Sequence, residues 1–191
     1  MNATTQLNLA LLVKLILTEV VLFVIISIYL WLRGWRLQHF RLNISWKNTV
    51  FGIGLYIVSV ITFYVLYFLF EPLVAPFSFT EVDPMATQRL PLFTISVVSI
   101  VNSIYEETFV VGYVYTAVRQ RYGKWTAINT SAAIRLCYHL YQGPISAISI
   151  IPVGILFCFV YARNGRLWSL IVAHAIFDLV GLVVYFRSFA T

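Results

Sequence analysis

Apolar residues fall into long runs separated by short polar stretches. The runs extend from about Leu7 to Leu32, Thr49 to Phe70, Leu92 to Val118, Thr126 to Tyr141, Ile145 to Ala162 and Leu167 to Phe186. A helix crosses the hydrocarbon core of a bilayer with ~20 apolar residues. The pattern therefore predicts an all-α fold, a polytopic membrane helix bundle of about six transmembrane helices. The first run is too long for a signal-peptide core and has no small-residue cleavage site after it, which predicts an uncleaved first span. Pro72, Pro76 and Pro84 break regular structure between the second and third runs, Gly143-Pro144 predicts a tight turn, and Pro152 predicts a kink or late start in the fifth. The fourth run is the most polar, with Asn129, Thr130, Ser131, Arg135 and His139, and predicts a helix surrounded by protein.

Composition agrees. Of 191 residues, 61% are hydrophobic and 10% charged, against about 25% charged in a soluble domain. The mean hydropathy is +0.88. The expectation is a single integral-membrane domain over 1–191, with a motif-bearing core at about 91–186. A net charge of +6 could suggest nucleic acid, but the basic residues sit in short loops, which is the footprint of membrane topology. In order, the five loops hold 4, 1, 3, 0 and 2 Lys or Arg. The positive-inside rule then puts 33–48, 119–125 and 163–166 in the cytoplasm and both termini outside. Trp31, Trp35 and Trp46 border the first of these loops, as interfacial aromatics do. The chain is expected to be multi-pass in the cytoplasmic (inner) membrane, with the lipid bilayer and no nucleic acid as its surroundings. Cys137 and Cys158 lie inside apolar runs, which argues against a disulfide framework.

Several polar residues change this picture. Glu106 and Glu107 stand mid-way along the third run, where each central charge costs roughly +2.5 to +3.5 kcal/mol on insertion scales. Such groups mark a site facing a bundle interior or a water-filled cavity. On an α-helix the two point about 100° apart, so they are expected to do different jobs. Asn102 lies one turn before Glu106 on the same face and favours Glu106 as the one lining a polar cavity. Arg135 and His139 share a face of the fourth run, and His174 and Asp178 share a face of the sixth. That last spacing lets the carboxylate orient the imidazole, or lets both reach one oxygen or metal. The set suits activation of a water for attack on a carbonyl. It could instead hold Zn²⁺ through His139, His174 and Glu106, although the His-Glu-x-x-His signature is absent. Lys14 and Glu19 in the first run are read as structural, with Lys14 snorkelling to headgroups and Glu19 pairing with it or reaching into the bundle.

These residues resemble the CPBP intramembrane proteases, the family of CAAX prenyl endopeptidases and bacterial Abi-type proteins. Glu106-Glu107-Thr108-Phe109-Val110-Val111 matches the family's Glu-Glu-x-x-x-Arg except at Val111. Arg135-Leu136-Cys137-Tyr138-His139 matches Phe-x-x-x-His except at Arg135, and His174-Ala175-Ile176-Phe177-Asp178 matches His-x-x-x-Asn/Asp. The resemblance implies an endopeptidase acting on a membrane-associated protein or peptide. It implies Glu106 as general base for a water held with His139, Glu107 in support, and His174 and Asp178 facing the oxyanion. For CAAX members it implies a metal-free glutamate mechanism, so a site without cofactor is the favoured reading and Zn²⁺ the alternative. The two departures suggest that Arg135 replaces the missing charge and pairs with Glu107. Asp178 as an anion would repel an oxyanion, so it acts either protonated or by orienting His174. Two other readings are a non-catalytic scaffold or immunity-type protein of the same fold, and a proton or ion pathway.

Overall fold

The computed structural model describes residues 9–74, 90–140 and 144–188. These are helical almost throughout, in six helices: α1 (Leu9–Leu32), α2 (Trp46–Val74), α3 (Leu92–Tyr122), α4 (Lys124–His139), α5 (Pro144–Asn164) and α6 (Leu167–Ser188). A short 3₁₀ turn, Leu37–Phe40, lies between α1 and α2. The loop prolines Pro76 and Pro84 and the turn residue Gly143 lie outside the described residues. Glu71 and Pro72 belong to the last turn of α2, which runs past the expected end at Phe70.

Among the described residues, four helical stretches are long and apolar enough to cross a membrane: Leu12–Leu32, Trp46–Leu73, Leu92–Tyr122 and Leu167–Phe186. The chain is an integral membrane helix bundle. The expected fourth and fifth spans differ from these. Ile148–Asn164 is a shorter apolar helix, and α4, with 16 residues and its many polar groups, is neither long nor apolar enough by itself. Nor does protein surround α4. Ala127, Ile128, Ser131, Ala132, Arg135 and His139 are buried, while Asn129, Ala133, Ile134 and Cys137 are exposed. Its polar residues need burial on only one face, so packing on α3 and α5 satisfies them.

The core sits where α2, α3, α4, α5 and α6 meet. Val111, Tyr115, Ile128, Phe157, Leu167 and Leu170 are among its fully buried members. Helices α2 and α6 lie side by side and start at the same end. There Trp168 Nε1 donates to Thr49 Oγ1 at 2.9 Å and Ser169 Oγ to the Asn48 carbonyl at 2.8 Å. The backbones come close enough that a Cβ on Gly52 would lie 2.7 Å from the Ser169 carbonyl oxygen. Further along, Phe63 of α2 meets Phe177 of α6 edge-on at 5.6 Å, next to Asp178. Helix α1 is peripheral. It packs on α3, and Leu12 joins Ile95, Val98 and Phe186 in a separate small cluster.

Helix α3 is not a regular α-helix. After Leu92–Glu106 the backbone widens into a π-helical stretch, Glu107–Tyr115, before closing again at Thr116–Tyr122. π-turns are rare and concentrate at functional sites. Here the transition falls between the two glutamates. Ser131 Oγ of α4 donates to the Val110 carbonyl inside the π stretch at 3.0 Å, which satisfies an acceptor in the widened segment.

Candidate active site

The buried polar residues of α3, α4 and α6 converge. Glu106 and Glu107 come from α3, Arg135, Tyr138 and His139 from α4, and His174 and Asp178 from α6. Glu107 is fully buried, and Arg135, Glu106, His139 and His174 are each less than a tenth exposed. The Cα-to-Cβ directions of neighbouring helical residues diverge, and the π transition adds to this. Glu106 and Glu107 consequently meet different partners.

Glu107 lies at the centre of a fixed pair of contacts. Its Oε1 accepts from Arg135 Nη2 at 2.8 Å and lies 2.7 Å from His174 Nδ1. The pairing expected of Arg135 across to Glu107 is present. Charge-assisted contacts of this length are the strong class of hydrogen bond. Val111 is fully buried in the core and reaches no carboxylate, so the cation comes from the facing helix. The guanidinium also lies 5.9 Å over the Phe157 ring, a cation–π geometry. Space for its stem is made at Gly154, where a Cβ would stand 2.8 Å from Arg135 Cδ.

Glu106 is differently surrounded. Tyr138 Oη donates to its Oε2 at 2.6 Å. Arg135 Nη1 is 3.6 Å from the same oxygen, His174 Nε2 3.8 Å and His139 Nε2 4.0 Å. Both imidazoles thus border one carboxylate without a short contact to it. Asp178 Oδ1 lies 3.4 Å from His174 Nε2, and its Oδ2 accepts from Asn102 Nδ2 at 2.8 Å. Asn102, which the sequence spacing set on the face of Glu106, thus bonds to Asp178.

With Nδ1 of His174 facing the Glu107 carboxylate, a proton on Nδ1 makes the shortest bond available to the ring. Nε2 is then the nitrogen turned to Glu106 and Asp178. The arrangement can hold an anionic carboxylate rigidly at Glu107, and can present Glu106, His139 and His174 Nε2 around one point.

Zinc fits this donor set poorly. Tetrahedral zinc holds nitrogen and oxygen donors at roughly 2.0–2.2 Å, and the Glu106 oxygen that both imidazoles border already accepts from Tyr138 and faces the Arg135 guanidinium. Among the described residues no three His, Cys, Asp or Glu side chains are placed to hold a metal ion.

Two residues of the cluster were missed or underweighted in the sequence. Tyr138 stands in a variable position of the Phe-x-x-x-His pattern, and its only signal is that it follows Arg135 by about one turn. Glu19 of α1 was expected to be structural. It is buried, whereas Lys14 is exposed, and no ion pair joins the two among those formed by the described residues. Its electrostatic neighbours are Glu106, Asp178 and His174.

Residues 88–180 match the family model described as type II CAAX prenyl endopeptidase Rce1-like. The chain carries an Rce1-like segment. The match spans the three motif-bearing helices and agrees with the CPBP/CAAX resemblance of the motifs. The match covers just under half of the chain, so the likeness to CAAX-type proteases is that of this segment. No curated protein and no solved structure matches. The Rce1-like segment contains every residue of the cluster except Glu19, which α1 contributes from outside it.

Proposed function

We propose that this protein is an intramembrane endopeptidase that hydrolyses a peptide bond of a membrane-associated protein or peptide, with a water activated by Glu106. The observation that carries the reading is Arg135 on Glu107 at 2.8 Å. It supplies from α4 the cation that Val111 cannot, so the motif departures leave the carboxylate pair intact. A decayed site would have no reason to keep a buried arginine at that position.

In this mechanism Tyr138 fixes Glu106 through Oε2, and the carboxylate takes a proton from a water held between it and His139. The water oxygen attacks the scissile carbonyl. His174, carrying a proton on each ring nitrogen, donates from Nε2 to the developing oxyanion, while its Nδ1–H is anchored on Glu107. Asp178, held by Asn102, orients the ring. Glu106 then returns the proton to the leaving amine. A positioned general base contributes typically ~10²–10⁴-fold, and oxyanion donors in a site free of bulk water add to this. No step requires a metal. In this reading the protein lies in the cytoplasmic membrane with both termini outside, a topology that the loop charges support.

The test is cleavage by the purified protein in liposomes of a library of membrane-tethered, internally quenched peptides. The wild type cleaves a subset, Glu106→Gln lowers the rate by ~10²-fold or more, and a zinc chelator changes nothing. Absence of any cleavage by a folded wild type would favour the scaffold reading, and chelator sensitivity would refute the metal-free one.

A further inference from the structure

One buried carboxyl has no task in that mechanism. The inward stripe of α1 runs Leu12, Ile16, Glu19, Phe23 and Leu30, and Leu12, Glu19 and Leu30 are buried. Phe23, one turn after Glu19 on the same face, meets the Phe109 ring at 5.3 Å, and Phe109 meets Tyr105 at 5.2 Å. On the other side of Glu19, Leu12 is packed against Ile95, Val98 and Phe186. These contacts hold α1 so that Glu19 faces α3 and α6. There it interacts with Glu106, Asp178 and His174, and also with Tyr105. Its Oε2 is buried and has no hydrogen-bond partner among the described residues.

The charge around it is unbalanced. Four carboxyls, Glu19, Glu106, Glu107 and Asp178, face one guanidinium and two imidazoles. Arg135 is committed to Glu107 at 2.8 Å, and His174 lies between Glu107 and Asp178. None of the ion pairs among the described residues reaches Glu19. A buried acceptor without a donor is costly, and a surplus of acid out of water more so. A bound peptide can bring the missing donor, and the surplus of acid selects a cationic one over a neutral N–H.

We propose that Glu19 is a substrate-binding residue that receives a positively charged group of the substrate, a Lys or Arg side chain or a free amino terminus, beside the scissile bond. The proposal rests on the protease reading and names its substrate class: membrane-associated peptides with a basic group near the cleavage point. Glu19 lies outside the matched family segment, so this preference belongs to α1 of this chain.

Binding tests it without cleavage. The full-length Glu106→Gln variant in lipid nanodiscs is titrated with short fluorescent Leu/Ala peptides. One is N-acetylated with a central Lys, one N-acetylated with a central Gln, and one has a central Gln and a free amino terminus. At least one cationic probe binds about tenfold tighter than the acetylated Gln probe, and which one does so tells a side chain from a terminus. Adding Glu19→Gln removes that advantage and leaves the neutral probe's affinity unchanged. Equal affinity of all three probes for the Glu106→Gln variant, or no binding of any, overturns the proposal even where the second substitution fails to fold. A cationic advantage that survives Glu19→Gln overturns it as well. A wild type that binds the Lys probe tightly and never cleaves it keeps the cation site and removes the protease reading.

Discussion

The Arg135–Glu107 pair is the contact on which the site's order depends, and Arg135→Met tests it. Methionine keeps most of the stem that passes Gly154 and packs near Phe157, so the change removes the charge with little loss of volume. Both partners are almost fully buried, 4% and 0% exposed at the side chain. Removing one member of a buried pair leaves the other uncompensated and costs ~3–5 kcal/mol, whereas replacing both by apolar groups of similar size is often neutral. Glu107 also loses one of the two donors on Oε1 and keeps His174 at 2.7 Å, which puts the expected loss toward the lower end of that range. The assay is the unfolding free energy in mixed micelles for the wild type, Arg135→Met, Glu107→Leu and the double variant. The single arginine variant should lose ~3 kcal/mol, and the double variant should recover ~1 kcal/mol or more of it. A double variant no more stable than Arg135→Met would refute the reasoning.

Other outcomes follow from single contacts. Tyr138→Phe removes the hydroxyl that donates to Glu106 at 2.6 Å, and should lower kcat by ~10-fold or more with the fold intact by gel filtration. Gly154→Ala would set a Cβ 2.8 Å from Arg135 Cδ, an overpacking that costs ~1–3 kcal/mol and should be relieved in an Arg135→Ala background, which removes the Cδ. Ser131→Ala leaves the Val110 carbonyl of the π stretch without its donor. It should cost ~1–3 kcal/mol in thermal or micellar unfolding.

Much of the architecture was readable from hydrophobic runs because a bilayer imposes length and apolarity directly. The same rule singled out Glu106, Glu107, Arg135, His139, His174 and Asp178, since each is costly at membrane depth. It applied equally to Glu19, which was set aside because Lys14 lies nearby in sequence. Helical geometry separates the two, since five residues do not return to the same face as three or four do. Tyr138 was invisible because an aromatic residue in an apolar helix is ordinary, and only the fold turns its hydroxyl onto Glu106. The π segment has no sequence signature here. Ser131, from another helix, donates to the Val110 carbonyl inside it. The polarity of α4 was read as full enclosure, but its buried groups line one face, and among the described residues nothing covers the opposite face.

The central claim is hydrolysis that depends on Glu106. The most direct measurement compares the termini of membrane proteins in cells carrying the wild type with those carrying Glu106→Ala, at expression matched by blot. The account predicts new termini present only with the wild type, clustered within or beside membrane-spanning segments. Identical sets of termini, with an equally abundant variant that keeps the cellular phenotype, would contradict it.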